Sequence, residues 1–405
     1  MKQTQTRTLS FGDVGLDFCA GSRSLFPDRF KKMLALGYNT QTVSSVSISG
    51  NQVTFNYGVS HGYVADRVLK VNSGALALIN GGEFWIDSVT TNTVTMTIDD
   101  APLSIAGNFS TNIASLGYEL VYELNNVHIY KFKALDETDL YLRLVFTTVT
   151  NARNVVMPCI GKSADLVNGV ITDVDAYQPN KDITQPVISA LQWEFYYSNG
   201  THTNNYTYSQ GFSAFGTAVV VGSKYHLAFL YDDAYHRYAG QWVCGFVPSV
   251  TLRYEKLKQP ILFGGLSTTS LTGSSNTAAM GRLAWFLGGI QVTLSERISE
   301  NNGLNTPLSN SPFLPQSIDT FNTTVVMPIR IFEKVSSQFL GFMTGMYLGC
   351  YGGSGTPSLD QLNQPIQTTD TDLNNKVIVG NIGNTNAGHE SSIFLAFPIE
   401  EIKIA

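Results

Sequence analysis

The sequence predicts a mainly β protein, built from several antiparallel β-sandwich or barrel modules with one short N-terminal helix and long loops. Two observations lead to this fold class. Short runs of β-branched and aromatic residues are separated at close intervals by Gly, Asn, Ser and Pro, as in strands joined by turns. Helical periodicity, in contrast, is confined to one short segment of the 405 residues. A chain of this length has room for roughly two to four domains.

Composition and charge indicate a protein that works in an assembly. Charged residues make up 14% of the chain, against about 25% in typical globular domains. Because so little surface charge protects weakly against association, we expect other subunits to cover much of the surface. The 19 Tyr, 23 Phe and 36 Gly residues suit pleated sheets, interfaces and tight turns. The net charge is −6 and basic residues form no long cluster, so we expect no nucleic-acid partner.

The cysteines and the N-terminus indicate the compartment in which the chain folds. Cys19, Cys159, Cys244 and Cys350 lie far apart, in no metal-binding or redox spacing, so we predict buried thiols. Met1–Thr8 is polar and lacks the apolar core of a secretion signal, which favours folding in a reducing cytoplasm. No apolar stretch approaches the roughly 18–20 residues of a membrane-spanning helix. We therefore expect no membrane span and no cofactor.

Residues 1–40 are predicted to form an N-terminal docking segment. Over Ser24–Leu36, apolar residues that include Phe26, Phe30 and Leu34 recur with a partly helical spacing. An early proline lies where the first turn of a helix tolerates it. We therefore predict one short helix, with Phe26, Phe30 and Leu34 in contact with a neighbouring subunit.

Residues 41–110 are predicted to form a small β module, either a barrel or a sandwich. Gly50-Asn51 is a strong two-residue turn, and Thr91-Asn92 joins the last two strands. The predicted strands are Val43–Ser49, Val53–Tyr57, Val64–Val71, Glu83–Val89 and Val94–Ile98. His61-Gly62 makes a further turn, in which we predict that His61 has a capping role and no catalytic one.

Residues 111–300 are predicted to form a larger antiparallel β domain, and residues 301–405 a linker arm with strands that complete it. The predicted strands are Tyr118–Leu124, His128–Phe132, Leu140–Thr150, Leu191–Tyr197, Tyr225–Leu230, Gln241–Val247, Thr324–Phe332, Lys376–Val379 and Ser392–Pro398. Val156–Gln185, with its many Gly, Asp, Pro and Asn residues, is predicted to be irregular. Ser267–Thr277 and Ser299–Ser317 are predicted to be exposed linkers or arms.

Two motifs in the irregular stretch look like ligand sites, but neither meets the requirements. Gly161-Lys162-Ser163 matches the end of a phosphate-binding loop, yet Val156 occupies a position that requires Gly. Asp173 and Asp175, with Asp165 nearby, could offer oxygen ligands to a hard cation. Because no Glu closes a calcium-binding loop here, we favour a solvated loop with Asx turns and predict no metal site.

The densest cluster of titratable side chains contains His226, Asp232, Asp233 and His236, with Ser223 as the nearest hydroxyl. A hydrolase needs a nucleophile held against an oriented base, but no strand–elbow–helix pattern surrounds the serine. The two histidines also lack a third zinc ligand at the usual spacing. We therefore favour a polar loop between strands and predict that the protein is not an enzyme, with a hydrolase as an alternative.

Aromatic residues concentrate in the middle of the chain, above all in the segment Trp193–Tyr208, which includes Trp193, Tyr196 and Tyr206. Aromatic faces of this kind could stack on a host surface glycan or form a receptor surface. They serve sheet cores and subunit contacts equally well. We favour a core or an interface between subunits for these residues.

Two sets of motifs carry a resemblance to a known family. The first set is His61-Gly62-Tyr63, Val68–Val71, Gly81–Ile86 and Ser88–Thr90. The second set is the order of Tyr141–Arg143, Ala152–Val155, Pro179 in the Asp-rich loop, Trp193, Phe229–Tyr231, Phe263–Gly265 and Leu340–Met346. The first resembles a small β module of structural proteins in tailed bacteriophages, and the second is similar to phage tail or virion components. The resemblance implies a virion part with no catalytic residues.

The composition and the resemblance together predict a structural component of a tailed-phage virion, in the tail or the baseplate. It would be made in the host cytoplasm, bind other virion proteins and form a homo-oligomeric ring or trimer. Further contact surfaces are predicted at Asn301–Gln316, with Phe313, and at Leu340–Tyr351. The latter carries Phe342, Met346 and Tyr347. The alternatives are a receptor- or carbohydrate-binding tail protein and a capsid decoration protein.

Overall fold

The structure, a computed structural model, describes most of the strand-forming parts of the chain. The described residues are 6–19, 22–148, 154–187, 189–196, 207, 209–210, 218–231, 242–266, 283–294, 323–350, 366–370, 375–382 and 393–399. This part of the chain is mainly β, with several antiparallel sheets, one short α-helix and no closed barrel. The predicted fold class is therefore confirmed. The linkers predicted at Ser267–Thr277 and Ser299–Ser317 lie outside the described residues.

The α-helix and the first nine strands occupy the N-terminal part of the chain. They are β1 (Arg7–Ser10), α1 (Phe26–Lys31), β2 (Tyr38–Val43), β3 (Ser45–Ser49), β4 (Gln52–Asn56), β5 (Val68–Val71), β6 (Glu83–Trp85), β7 (Ser88–Val89), β8 (Thr93–Thr97) and β9 (Phe109–Ile113). A 3-10 turn at Arg23–Leu25 precedes α1 and a π-helical turn at Lys32–Leu36 follows it, so the predicted helix is confirmed. No helix in the described part of the chain is long and apolar enough to cross a membrane.

The small module is a sandwich of two antiparallel four-stranded sheets. One sheet has the order β2–β9–β5–β6 and the other the order β3–β4–β8–β7. Phe55 of the second sheet and Phe109 of the first are both buried, with ring centroids 5.2 Å apart. Gly50-Asn51 forms the predicted hairpin turn, in which Gly50 has a φ of 62°, a conformation that glycine adopts without strain. The module spans Tyr38–Ile113, close to the predicted boundaries.

The remaining strands form the larger body. They are β10 (Glu119–Leu124), β11 (Val127–Lys133), β12 (Asp139–Phe146), β13 (Asn154–Gly161), β14 (Ala164–Asp165), β15 (Val170–Ile171), β16 (Leu191–Tyr196), β17 (Ala218–Ser223), β18 (His226–Tyr231), β19 (Trp242–Val247), β20 (Ser249–Thr251), β21 (Ile261–Leu266), β22 (Leu283–Leu287), β23 (Ile290–Leu294), β24 (Thr323–Glu333), β25 (Phe339–Cys350), β26 (Ile366–Asp370), β27 (Asn375–Ile382) and β28 (Ile393–Pro398). Further 3-10 turns lie at Ala75–Leu78, Asn80–Gly82, Gln178–Asn180 and Glu255–Leu257. Each strand predicted in this region coincides with an observed one.

The sheets of the body lie in layers. The front sheet has the order β10–β11–β12–β13–β16, and the central sheet has the order β1–β17–β18–β19–β21–β22–β23. A C-terminal sheet of β24, β25, β28, β27 and β26 continues from β23. Phe132 of the front sheet lies 4.8 Å from Phe246 of the central sheet, between ring centroids. On the opposite face, Leu230 shares a buried cluster with Leu340 and Phe397 of the C-terminal sheet. The central sheet is thus buried on both faces.

The prediction that Val156–Gln185 is irregular was wrong for its first residues, which belong to β13, a strand buried along its whole length. Pro158 argues locally against a strand because it lacks an N–H. Its carbonyl accepts a hydrogen bond of 2.9 Å from Asn180 Nδ2. Since the N–H and C=O of one residue point to the same side of a strand, the missing donor also faces Asn180 and not β12. The proline therefore costs no ladder hydrogen bond with β12.

The helix α1 lies between the front and central sheets, where phenylalanine rings hold it. The Phe30 ring centroid lies 5.3 Å from that of Phe146 on the front sheet and 5.2 Å from that of Phe229 on the central sheet. Phe26 packs in the same way on Phe195 of β16, at 5.1 Å. We call the following residues, each at most 1% exposed, the phenylalanine cluster: Phe11, Phe18, Phe26, Phe30, Phe146, Phe195 and Phe229.

This packing places the N-terminal segment inside its own chain. Phe26, Phe30 and Leu34, which the sequence analysis assigns to a contact with a neighbouring subunit, are fully buried. Their side chains therefore have no exposed surface to offer a partner. The strand β1 also pairs with β17 at the edge of the central sheet, so the segment docks on its own body.

An ion pair connects the N-terminal segment to the small module. Arg67 Nε and Nη2 donate to the two carboxylate oxygens of Asp13, at 2.9 and 3.0 Å. The Tyr38 hydroxyl donates to the same carboxylate at 2.6 Å. A second ion pair, between Arg7 of β1 and Glu83 of β6, joins the same two parts. Bidentate pairs of this kind fix orientation as well as distance.

We predict that Phe30→Ala destabilises the protein strongly, because the cavity would open between two sheets that cannot close on it. The expected loss is about 3–5 kcal/mol of unfolding free energy, measured by urea denaturation. Leu36→Ala, in the same segment but at a side chain that is 62% exposed, is the matched control and should cost less than about 0.5 kcal/mol. Equal effects of the two substitutions would contradict the placement of α1.

Candidate functional site

Most of the residues predicted to contact partners are buried in the structure. Trp193 and Met346 are fully buried and Tyr347 is 5% exposed. Tyr196 lies in β16, but only its backbone is described. Tyr206 and Phe313 lie outside the described residues. Of the predicted contact residues with described side chains, Phe342 is the exposed one, at 40%.

Trp193 lies where the front sheet joins the central sheet. The strand β16 pairs with β13 through its C-terminal half and with β21 through its first two residues. The Trp193 indole Nε1 donates to the Phe263 carbonyl of β21 at 3.0 Å. A fully buried and hydrogen-bonded indole cannot stack on a sugar, so Trp193 acts in the core, as the favoured interpretation holds.

Ser223 and His226 form a buried pair in the hairpin between β17 and β18. The Ser223 hydroxyl lies 2.8 Å from His226 Nδ1 and accepts a hydrogen bond from the Tyr225 backbone N–H. Burial lowers the pKa of His226 to about 3. Both side chains have no exposed surface, so a substrate cannot reach the hydroxyl, and the pair stabilises a turn. The other members of the predicted cluster, Asp232, Asp233 and His236, lie outside the described residues.

His61 has the predicted role in its turn. Its ring Nδ1 accepts a hydrogen bond of 2.9 Å from the Tyr63 backbone N–H. Its Nε2 lies 3.1 Å from the Thr93 carbonyl, so that Nε2 is the protonated nitrogen. The side chain is 2% exposed. The histidine therefore joins a loop to β8 and caps the backbone.

The Asp-rich loop uses its carboxylates to hold its own backbone. The Asp173 carboxylate accepts from the Lys162 and Asp175 backbone N–H groups and from Gln259 Nε2. The Asp165 carboxylate accepts hydrogen bonds from the backbone N–H groups two and three residues further along the chain. These are the Asx turns that the sequence favours. Among the described residues, no group of three or more His, Cys, Asp or Glu could hold a metal ion.

Arg143, on β12, holds the backbone of the same loop through hydrogen bonds. Its guanidinium is almost fully buried and donates to three backbone carbonyls, those of Gly169 at 2.7 Å, Asn180 at 3.3 Å and Ile183 at 2.6 Å. Each charged donor therefore satisfies a carbonyl of an irregular segment. The segment between β13 and β16 gains a fixed shape from a residue on β12.

The cysteines have the predicted environment where their side chains are described. Cys159 and Cys244 are free, buried thiols, and burial raises the pKa of Cys159 to about 12. Cys19 is buried with its Sγ 3.1 Å from Ser22 Oγ. A raised pKa keeps a thiol in its unreactive form. The side chain of Cys350 lies outside the description.

An exposed apolar face lies on three neighbouring strands. In register, Val250 of β20 lies beside Phe342 of β25, and Phe342 lies beside Arg330 of β24. The rings of Phe339 and Phe342 lie 5.3 Å apart. The apolar members are each between 39% and 42% exposed. We call the following side chains the ribbon face: Val250, Leu252, Arg330, Phe339 and Phe342.

The ribbon face is the candidate functional site of the protein. Aromatic and arginine side chains are enriched in protein interfaces, and a contiguous exposed apolar patch marks a binding surface. The sequence predicted Phe342 as a contact residue and missed Val250, Leu252 and Phe339. The only local signal for these three is alternation within short strands, which does not tell which face is left uncovered.

Two comparisons of the sequence with known proteins found no match. No protein-family model matches the chain, and no curated protein matches its sequence significantly. The resemblance to phage virion proteins therefore rests on the motifs of the sequence itself. The ribbon face and the buried polar groups are the observations from which function can be argued.

We predict that buried neutral histidines weaken the fold in acid. Burial lowers the pKa of His226 to about 3 and that of His128 to about 4. Above the ordinary histidine pKa, both rings are neutral in the folded and unfolded states, and the free energy of unfolding has its full value. As the pH falls from there through these values, the unfolded state binds protons first and that free energy decreases. Each histidine should cost about 1.4 kcal/mol per pH unit in this window. His226→Asn should flatten the fall in urea stability between pH 7 and pH 5, with His128→Asn as a second, independent test. An unchanged slope in both variants would contradict the burial of these rings.

We predict that Arg143→Met loosens the Asp-rich loop, because three backbone carbonyls lose a charged donor. The expected cost is about 2–4 kcal/mol, with faster hydrogen exchange confined mainly to residues 162–183. Lys224→Met, at an exposed lysine that pairs with Glu137, is the control and should leave exchange of the loop unchanged. Unaltered protection of the loop in Arg143→Met would show that the guanidinium does not hold it.

Proposed function

We propose that the protein is a structural component of a tailed-phage virion, located in the tail or the baseplate, and that it acts by binding other virion subunits. The observation that supports this proposal is the ribbon face. Its apolar side chains are held on regular strands and lie 39–42% exposed. Such a surface binds another protein by burying apolar area, and it offers no chemistry to a small substrate.

The low charge of the chain supports the same function. With 14% charged residues, the surface has little electrostatic protection against association. The motifs that resemble phage structural proteins, such as His61-Gly62-Tyr63 and Leu340–Met346, agree with a place in a virion. Leu340–Met346 also contributes Phe342 to the ribbon face.

The architecture suits a part that keeps its shape while neighbours bind. The central sheet is buried on both faces, and the N-terminal segment is anchored by the phenylalanine cluster. Preformed surfaces of this kind bind with little loss of conformational entropy. The buried indole of Trp193 favours this architectural role over the carbohydrate-binding alternative.

The proposal predicts that the protein is found at the tail end of purified phage particles. Particles that carry an epitope-tagged copy would be labelled with gold-conjugated antibody and imaged by electron microscopy, with untagged particles as the control. Gold at the tail or baseplate is the expected result. Gold over the capsid shell would support the decoration alternative. A protein abundant in phage-free cells and absent from particles would contradict the virion function.

A further inference from the structure

The Asp-rich loop, residues 162–182, which we call the acidic loop, exposes apolar side chains at two separate places. Leu166 and Val167, which are 41% and 86% exposed, lie at the tip of the hairpin between β14 and β15, and Val174, which is 83% exposed, lies beyond the other end of that hairpin. The loop contains four Asp and two Lys residues, so its net charge is −2. A partner that covered Val174 would remove this apolar side chain from water.

The acidic loop is preorganised. Arg143 donates hydrogen bonds to two backbone carbonyls of the loop and to one just after it. The carboxylates of Asp173 and Asp165 accept backbone N–H groups and so stabilise the turns of the loop. A loop that already has its bound shape loses little entropy on association. A buried guanidinium used in this way gives Val167 and Val174 fixed positions on the surface.

The ribbon face carries the opposite charge. Arg330 is exposed and its guanidinium lies 5.8 Å from the ring centroid of Phe332. Arg253, next to Leu252, is exposed as well. The nearby Glu333 carboxylate accepts backbone N–H groups of its own hairpin, those of Val335 and Ser336. The basic, aromatic ribbon face is therefore complementary to the acidic, aliphatic loop.

The two surfaces are neighbours on one molecule. Gln259 Nε2 donates to the Asp173 carboxylate at 2.7 Å, and Lys162 Nζ donates to the Glu255 carbonyl at 2.5 Å. The segment that contains Glu255 and Gln259 follows directly after Leu252 of the ribbon face. In an isologous two-fold contact, each copy supplies both surfaces, so that the loop of one copy meets the ribbon face of the other.

We infer that the ribbon face binds the acidic loop of a second copy of this chain in a two-fold symmetric dimer. This inference rests on the proposed function and names one of the partners that function requires. Val174 of each copy would contact Phe339 and Phe342 of the other. The acidic loop would lie near Arg330 of the other copy, so that the contact would be weaker at high salt.

Sedimentation velocity of the full-length protein over a range of concentrations tests the dimer. Wild type should dimerise, and Phe342→Glu and Val174→Lys should each raise the dimer dissociation constant by roughly tenfold or more. An equimolar mixture of the two variants should regain dimers, because the heterodimer keeps one native contact and sets the introduced carboxylate against the introduced ammonium. Leu103→Lys, at a side chain that is 99% exposed on the small module, is the control and should dimerise like wild type.

Several results would overturn the inference. They are a wild type that stays monomeric at all concentrations, a Val174→Lys variant that dimerises normally, and variants that do not regain dimers when mixed. Arg330→Glu is a second variant of the ribbon face, because its side chain is exposed and the reversed charge would repel the acidic loop, and it should weaken dimers as Phe342→Glu does. Thermal denaturation should show that all variants fold. Since the location in particles is measured separately, failure of the dimer leaves the virion function untouched.

Discussion

The phenylalanine cluster between the front and central sheets is the interaction on which the rest of the body depends. Two sheets that pack face to face must fill the space between their inner faces with apolar groups. Here Phe26 and Phe30 of α1 supply part of that filling, and β1 extends the central sheet. Each fully buried ring stabilises the fold by about 1.5–3 kcal/mol. The same segment holds the small module through the Asp13–Arg67 pair, so the placement of the module also depends on it.

The polar residues that stand out in the sequence serve the backbone in the structure. His61 and His226 complete turns, Asp173 closes a loop, and Arg143 satisfies carbonyls of an irregular segment. A β protein with long connections has many backbone groups outside its ladders, and those that are buried need partners. Side chains of this kind are costly to bury unless they make such bonds. In these residues, polar chemistry stabilises the backbone.

The surface that remains is built on rigid elements. The ribbon face lies on paired strands. Other residues of the C-terminal sheet, such as Met343 and Met346, are buried in the core. The acidic loop is irregular, yet its backbone is held by Arg143 of β12. Both surfaces therefore combine exposed apolar groups with little freedom to rearrange, which is the combination that favours stable assembly.

The sequence by itself determined the fold class, the helix at Ser24–Leu36, the Gly50-Asn51 turn and about half of the described strands, because these depend on local periodicity and turn chemistry. The strands that it missed include β13 and β25, where Pro158 and glycines weaken the local signal. At Gly341, for example, a Cβ would lie 2.1 Å from the Val250 carbonyl oxygen, so the glycine is required by a strand distant in sequence.

Only the tertiary structure decided which apolar residues are core and which are surface. Phe30 and Phe342 look alike in the sequence, as large apolar side chains in regular elements. One faces two sheets and the other faces solvent, because the elements that cover a face come from far along the chain. Periodicity identifies an apolar face, but the packing of layers determines whether that face is already occupied.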